Sequence, residues 1–356
     1  MKKLVSLLLC LAVITVMLTG CGQTQSSSAS SSAQSSSGAQ QSSVSSSASG
    51  ASSAASGTTS SKPYTFGVSL YYRSDEFYVD IENMMKINAE KAGIKLDIQD
   101  ANADSSAQLR QFEDFIQMGV DAIIFSPCDP SAYVSAVQSA NKAGIPVFTY
   151  DGVMDDKSGI AAGLYSDFYS DGHDAGEWAK DYISKNLGGK AKVAILDYPA
   201  SAVVCGLRAN GFEEAVKELP GVEVVARQDG KATRTGGMEV MENILTANSN
   251  EVDVVFAINY ESGAGAAAAI QAAGAKGIVV PVAWGKEALQ KIEDNDPYIK
   301  ALLLGDPSDQ ANIINLAKDY LDGKKVDAET YYKYYMVEHD TLDKLIDWKY
   351  IISLRG

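Results

Sequence analysis

The chain has 356 residues, of which 45 are acidic and 30 are basic, so its formal net charge is −15. This length is enough for two domains of ordinary size after a targeting segment is removed. The acidic balance argues against a nucleic-acid partner, because binding to phosphates calls for a basic surface. The two histidines, His173 and His339, lie in no metal-binding spacing. The sequence therefore predicts no metal or other cofactor.

The N-terminus has the features of an export signal. Lys2 and Lys3 precede an apolar stretch over 4–18, which is shorter than the roughly 20 residues that a membrane-spanning helix needs. The Leu-Thr-Gly-Cys box that ends at Cys21 resembles a bacterial lipoprotein cleavage site, which implies removal of residues 1–20 and lipid on Cys21. We therefore expect an extracytoplasmic protein anchored to the cell membrane, and the alternative is an uncleaved membrane anchor.

A charge-free segment follows the cysteine. Residues 22–61 are dominated by Ser, Ala, Gln and Gly, which offer almost no large apolar side chains to bury. Together with Cys21, they form a predicted flexible linker over 21–61, with a root-mean-square reach of about 35 Å. The folded region is expected to begin at residue 62.

From residue 62 onward, short apolar runs alternate with amphipathic stretches. The predicted strands are Thr65–Leu70, Ala122–Phe125, Pro146–Tyr150, Lys192–Leu196, Val252–Phe256 and Gly277–Val280. Glycines end several of the intervening helices, as at Gly93, Gly119, Gly144 and Gly274, where a left-handed cap is expected. Repeated βα units of this kind indicate a doubly wound α/β fold with parallel sheets.

Ligands of such sheets bind at the carboxyl ends of the strands, and this rule nominates site residues. The residues that follow the predicted strands are Tyr71, Tyr72 and the loop to Tyr78, then Ser126, Asp151, Asp229, Asn259 and Trp284. Carboxylate and amide oxygens accept hydrogen bonds from hydroxyls, and flat rings cover an apolar C–H face. The set therefore suits a polyhydroxylated ligand, although each position can also be read as an ordinary loop residue.

Enzyme signatures are missing from the sequence. Neither a Gly-x-Ser-x-Gly elbow nor a phosphate-binding Gly-x-x-x-x-Gly-Lys loop occurs. Gly263 and Gly265 follow a strand as in a dinucleotide fingerprint, but the expected acidic residue about 20 positions on is absent. Close helix packing is the simpler explanation for these glycines. Cys128 and Cys205 could pair, and we favour free thiols.

Four stretches together resemble type I solute-binding proteins of the ribose, galactose and xylose transporter family. They are the segments 119–127, 143–151, 240–247 and 254–259, and the similarity runs from about Thr65 to the C-terminus. The resemblance implies two α/β lobes that close on a ligand, joined by three crossings near Ser166, Asp306 and Tyr332. The implied N-terminal lobe covers 62–166 and 307–331, and the implied C-terminal lobe covers 167–306 and 332–356.

The resemblance also implies roles for particular residues. Phe77 and Tyr78 match the family's aromatic sandwich, Ser126 its polar position before a proline, Asp151 its sugar-binding aspartate and Asn259 its asparagine. Combined with the strand-end residues, the predicted ligand-binding set is Tyr71, Tyr72, Asp75, Phe77, Tyr78, Ser126, Asp151, Asn259, Trp284 and Asp306.

This chain departs from the family's pattern at several of its charged positions. Gly152 stands where an arginine commonly follows the aspartate, Gly206 aligns with a second arginine so that Arg208 is out of register, and Trp284 and Gly285 stand where an aspartate is expected. The cleft is therefore expected to have lost its fixed positive charges. A sugar is favoured as the ligand, while a cationic or nucleoside-like solute remains open.

The resemblance implies a binding protein and not an enzyme. We expect a monomer that captures a small solute between two closing lobes and delivers it to an ABC permease in the membrane. The alternative is that the closed form docks on a membrane receptor kinase and reports the solute.

Overall fold

The computed structural model of the protein describes residues 63–355. The predicted signal peptide, the lipid-bearing Cys21 and the linker over 21–61 lie outside the described residues. Among the helices that are described, none is both long and apolar enough to cross a membrane.

Residues 63–355 contain twelve strands and twelve α-helices, most of them in alternation. The strands are β1 (Thr65–Leu70), β2 (Lys95–Asp100), β3 (Ala122–Phe125), β4 (Val147–Tyr150), β5 (Ile160–Ser166), β6 (Ala191–Asp197), β7 (Val222–Asp229), β8 (Val254–Ala257), β9 (Ile278–Ala283), β10 (Ala301–Leu304), β11 (Glu329–Tyr332) and β12 (Tyr335–Glu338). The helices are α1 (Glu76–Ala92), α2 (Ser105–Met118), α3 (Val134–Lys142), α4 (Phe168–Asn186), α5 (Leu207–Lys217), α6 (Arg234–Ala247), α7 (Tyr260–Ala272), α8 (Lys286–Glu293), α9 (Pro307–Ala311), α10 (Ile313–Leu321), α11 (Leu342–Leu345) and α12 (Trp348–Ser353).

The strands form two six-stranded sheets, and we call the sheet of each half, with its helices, a lobe. The first-lobe sheet has the order β11-β5-β4-β3-β1-β2, and all of its strand pairs are parallel. The second-lobe sheet has the order β12-β10-β9-β8-β6-β7, in which β12 pairs antiparallel to β10. This architecture confirms the predicted doubly wound α/β fold with two lobes.

The chain changes sheet three times within the described residues. It leaves the first-lobe sheet after β5, returns to it for β11, and crosses again to reach β12. Ser166 ends β5, Tyr332 ends β11, and Asp306 stands between β10 and α9. Strands β5 and β11 of the first-lobe sheet and strands β10 and β12 of the second-lobe sheet therefore adjoin the crossings along the chain.

The local structure follows from burial and capping. Phe66, Val68 and Leu70 on one face of β1 and Ser69 on the other are all fully buried, so this strand is covered on both faces, as the apolar run predicts. Helix α1 begins where the Asp75 side chain accepts a hydrogen bond from the Phe77 amide, and it ends at Gly93 in the left-handed conformation. Helix α1 consequently starts next to the carboxyl end of β1.

The predicted strands are confirmed, with small shifts at their ends. Strands β1 and β3 coincide with the predicted ranges, whereas β9 continues to Ala283, past the predicted end at Val280. Strands β2, β5, β7, β10, β11 and β12 were not predicted. Four of them, β2, β7, β11 and β12, lie at sheet edges and are only partly buried, so they lack a continuous apolar run. The other two, β5 and β10, are interior strands that the sequence analysis missed.

Candidate solute cavity

A cavity of about 550 Å³ lies between the two lobes, at the carboxyl ends of their strands. Most of the predicted ligand-binding residues lie in its wall: Tyr72, Asp75, Phe77, Tyr78, Asp151, Asn259 and Trp284. They follow β1, β4, β8 and β9, so the strand-end rule brings together residues that are far apart in the sequence. The volume is within the range of small-molecule sites.

Three residues of the predicted set are not in the wall of the cavity. The ring of Tyr71 stacks on that of Tyr78, with 5.5 Å between the ring centroids. Ser126 is 1% exposed, and its carbonyl accepts a hydrogen bond from the Gln108 side chain. Asp306 caps helix α9, where its carboxylate accepts from an amide at 2.7 Å. These three residues therefore lie outside the cavity wall, and their contact with solute stays a prediction.

Asp151 is the central acceptor of the cavity. It has a positive φ of 60°, and its carboxylate accepts hydrogen bonds from the Tyr78 hydroxyl and, at 3.4 Å, from the Gln310 amide. Burial raises the pKa of the Asp151 carboxyl, although the hydrogen bond from Tyr78 acts to lower it. A Cβ atom at the next residue, Gly152, would lie 2.9 Å from Pro127. Any larger side chain at Gly152, including the arginine that the resemblance implies, would therefore require Pro127 to shift.

Aromatic rings form one wall of the cavity. The ring centroids of Tyr72 and Tyr78 are 5.1 Å apart, and those of Phe77 and Tyr78 are 5.8 Å apart. The Tyr72 hydroxyl donates to the Asp75 carboxylate at 3.3 Å, and burial raises the pKa of that carboxyl. The start of α1 therefore supplies flat apolar surfaces together with a half-buried acceptor.

The second lobe contributes Asn259 and Trp284. Asn259 caps α7 by accepting from Ser262, and its side-chain amide donates to the Ala232 carbonyl at 2.8 Å. Trp284 is 9% exposed, and its indole nitrogen donates to Asp80 of the first lobe at 2.7 Å. Both side chains are thus held in place by the protein itself.

The sequence analysis missed Arg208, which lies in the wall of the cavity. Its side chain is 5% exposed, and its guanidinium carbon lies 4.9 Å from the ring centroid of Phe168 and 4.2 Å from that of Tyr334. Asp171 is the nearest carboxylate, 3.6 Å from Nη2. The Nε and Nη2 atoms have no hydrogen-bond partner among the described residues. The expectation that the cleft had lost its fixed positive charge is therefore wrong.

The local backbone explains why Arg208 was missed. A π-helical turn over Ala202–Gly206 precedes α5 directly. A π turn holds an additional residue, so the side chains after it face a different direction from those of a regular helix. Helix α4 also approaches closely, because a Cβ atom at Gly172 would lie 1.9 Å from the Arg208 carbonyl oxygen. The π turn and this close contact together set the position of Arg208.

The remaining acidic residues of the wall are paired with arginines outside it. Arg234 contacts Glu261 at 3.0 Å and Glu287 at 2.8 Å. Arg355 contacts Glu76 at 2.6 Å. Among the residues described, the carboxylates of Asp75 and Asp151 therefore have no salt-bridge partner, whereas Arg208 pairs with Asp171 and keeps two donors without a hydrogen-bond partner.

Other candidate sites from the sequence have structural explanations. A Cβ atom at Gly265 would lie 2.0 Å from the Arg234 carbonyl oxygen, so this glycine lets helices α6 and α7 pack closely. Cys128 and Cys205 are free thiols. In the part of the chain that the structure describes, no group of three or more His, Cys, Asp or Glu residues is placed to hold a metal ion.

Comparison with known proteins agrees with the geometry. The family described as periplasmic binding protein domain matches residues 66–325. The ribose import binding protein of Bacillus subtilis (strain 168) is 35% identical over 268 residues, which cover 75% of this chain and 85% of that protein. The galactofuranose-binding protein of Escherichia coli (strain K12) is 32% identical over 250 residues, covering 68% and 75%.

A solved structure extends the agreement to the fold. The ABC transporter solute-binding protein of Bacillus halodurans C-125, crystallised with myo-inositol, has a TM-score of 0.69 and 28% identity, and the match covers 81% of this chain and 98% of that one. These relatives are binding proteins of extracytoplasmic transport systems. The family match and the two facing lobes lead to one conclusion: the chain belongs to the periplasmic binding protein family, as a type I solute-binding protein.

Proposed function

We propose that the protein captures a neutral sugar or polyol in the inter-lobe cavity and delivers it to an ABC permease. The observation that carries the proposal is the presence in one cavity wall of Asp151, a half-buried acceptor, and Arg208, whose Nε and Nη2 donors lack partners among the described residues. Neighbouring hydroxyl groups can donate to a carboxylate and accept from a guanidinium at the same time. The relatives named for ribose and galactofuranose support this ligand class.

The charges of the cavity favour a neutral ligand over a cationic one. An ammonium group near Asp151 would also approach the fixed charge of Arg208, which repels it. The other acidic groups of the wall are already paired with Arg234 and Arg355. Aromatic rings at Phe77 and Tyr78 are suited to the apolar face of a sugar ring.

We propose that the lobes close about a hinge near Ser166, Asp306 and Tyr332, with the lobe boundaries predicted from the sequence. These residues stand where the chain passes between the two sheets. A solute that touches both lobes makes all of its contacts in the closed form alone, so it shifts the population toward closure. The closed form is then the one that a monomeric protein presents to its permease.

We also propose that lipid on Cys21 anchors the protein to the cell membrane. The basic start, the short apolar stretch and the Leu-Thr-Gly-Cys box support this proposal. Cys21→Ala should release the protein from the membrane fraction, whereas Cys10→Ala, a control inside the apolar stretch, should not. Retention of the Cys21→Ala protein on membranes would contradict lipidation.

A thermal-shift screen tests the proposed ligand. Purified residues 62–356 are heated with pentoses, hexoses, polyols, amino sugars, nucleosides and polyamines in turn. A solute at 100 times its Kd should stabilise the protein by about 2.7 kcal/mol, and a neutral sugar or polyol is expected to do so. Stabilisation by polyamines alone would refute the proposal.

The variant Asp151→Asn separates specific binding from general stabilisation. Asparagine tolerates the positive φ at this position, so the fold should persist while the carboxylate is lost. The ligand-induced shift should disappear in Asp151→Asn and remain in Asp155→Asn, which changes an exposed aspartate of the following loop. An unchanged shift in Asp151→Asn would remove this residue from the site.

A further inference from the structure

One buried carboxylate joins the two lobes beside the solute cavity. Asp80, on α1 of the first lobe, is 0% exposed. It accepts from the Trp284 indole nitrogen at 2.7 Å and from Arg355 Nε at 2.8 Å, and Arg355 Nη2 makes a further bond to the same carboxylate. Arg355 is therefore a bidentate partner of Asp80, the geometry in which an arginine–carboxylate pair is strongest.

Both partners of Asp80 belong to the opposite lobe. Trp284 follows β9 directly, at the carboxyl end of a second-lobe strand. Arg355 follows α12, whose Trp348 and Ile351 pack into the same hydrophobic cluster as Val279 of β9. The hydrogen bonds of Asp80 therefore cross from one lobe to the other.

Glu76 adds a second connection one turn earlier on α1. Its carboxylate accepts from the Lys286 amide at 2.8 Å and pairs with Arg355 Nη1 at 2.6 Å. Because Glu76 and Asp80 are four positions apart, they lie on the same face of α1. Arg355 thus bridges two carboxylates of the first lobe at once.

This cluster also controls a wall of the cavity. Trp284 lines the cavity, whereas Asp80 does not. The bond from the indole nitrogen to Asp80 fixes the orientation of the Trp284 ring, so the ring is held in the wall as long as the lobes are together. Asp80 is accordingly a positioning residue for Trp284.

We propose that Asp80, Glu76 and Arg355 form an inter-lobe latch that favours the closed form before solute arrives and positions Trp284 for it. The latch rests on the proposed function in one respect, the role of Trp284 in solute binding. When the lobes separate, Asp80 regains water and loses its partners. Without Arg355, closure would bury a carboxylate with no positive charge beside it, which is strongly unfavourable. The latch therefore acts on the ratio of closed to open forms.

Arg355→Gln tests the latch in solute-free protein by small-angle X-ray scattering. The ratio of closed to open forms should fall by about tenfold or more, so the radius of gyration should increase. Lys349→Gln is the matched control, because Lys349 lies on the same segment and pairs with Glu293 and Asp343 of its own lobe. A scattering profile of Arg355→Gln that superimposes on the wild-type profile would overturn the proposal.

The emission of Trp284 provides the second readout. In each background, with Arg355 or with Arg355→Gln, the contribution of Trp284 is the difference between the spectra recorded without and with Trp284→Phe. This difference spectrum should lie at longer wavelength in the Arg355→Gln background because the indole becomes hydrated. An unchanged difference spectrum would show that the cluster does not position Trp284. Trp284→Phe, which keeps an aromatic ring and loses the N–H donor, should also increase the radius of gyration. Both measurements use solute-free protein, so they can fail independently of the proposed ligand class.

Discussion

Replacing Arg208 with methionine tests the composition of the solute cavity. Methionine keeps an unbranched chain between the rings of Phe168 and Tyr334 but removes the Nε and Nη2 donors that lack partners in the described structure. A hydrogen bond to a charged group contributes about 1.5–3 kcal/mol, so loss of two should cost about 3–6 kcal/mol of binding free energy. This corresponds to an increase in Kd of roughly two to four orders of magnitude.

The stability of the solute-free protein should fall as well. Removing donors that lack partners is favourable, but Arg208→Met also leaves the buried Asp171 carboxylate without a positive charge beside it, which is unfavourable. Asp171 keeps its hydrogen bonds from Ser166 and the Tyr334 amide, which limits the net loss. Calorimetric titration with the sugar identified by the screen measures the affinity, and thermal unfolding without sugar measures stability. Arg110→Met, at an exposed arginine of α2, is the control. A Kd within about threefold of the wild-type value would refute the reasoning.

Two further predictions concern neighbouring elements. Gly172→Ala should destabilise the protein by about 1–3 kcal/mol and weaken sugar binding, because its Cβ atom would lie 1.9 Å from the Arg208 carbonyl oxygen. Gly206→Ala has room, with its nearest neighbour at 3.8 Å, and should change neither chemical unfolding nor affinity. Burial, reinforced by the charge of Asp306, raises the pKa of Asp309 from 3.8 to about 6. The folded state therefore favours the protonated carboxyl, so the free energy of unfolding should be highest below pH 3.8 and should fall as the pH rises through about 6. After allowance for solvent screening, urea unfolding should show a loss of about 1 kcal/mol over this range in the wild type and not in Asp309→Asn; parallel pH profiles would contradict it.

The sequence predicts those parts of the fold that depend on local chemistry. The buried runs at β1 and β3 are continuous and apolar, and Gly93 and Gly119 have the positive φ that their capping positions suggest. Parallel strands place their carboxyl ends at one edge, and the strand-end rule nominates Asp151 and Asn259, which lie in the cavity wall; their contact with solute stays a prediction. The predicted strands and helix caps succeed because each depends on a few consecutive residues.

Features set by tertiary packing could not be read in this way. Arg208 reaches the cavity through a π-helical turn and a close contact with Gly172, neither of which has a reliable sequence signature. Asp80 and Arg355 are 275 positions apart, so their contact depends on how the lobes face each other. Ser126 follows a strand as the rule requires, yet its side chain is buried instead of facing the cavity.

Calorimetric titration of the purified protein with the sugar or polyol selected by the thermal screen is the direct test of solute capture. We expect one bound molecule per chain with a Kd in the micromolar range, corresponding to about −8 kcal/mol, and recovery of the solute chemically unchanged. Heat that continues after saturation because the solute is converted to a product would contradict a binding role. Saturable binding that persists undiminished when both Asp151 and Arg208 are replaced would contradict the proposed site.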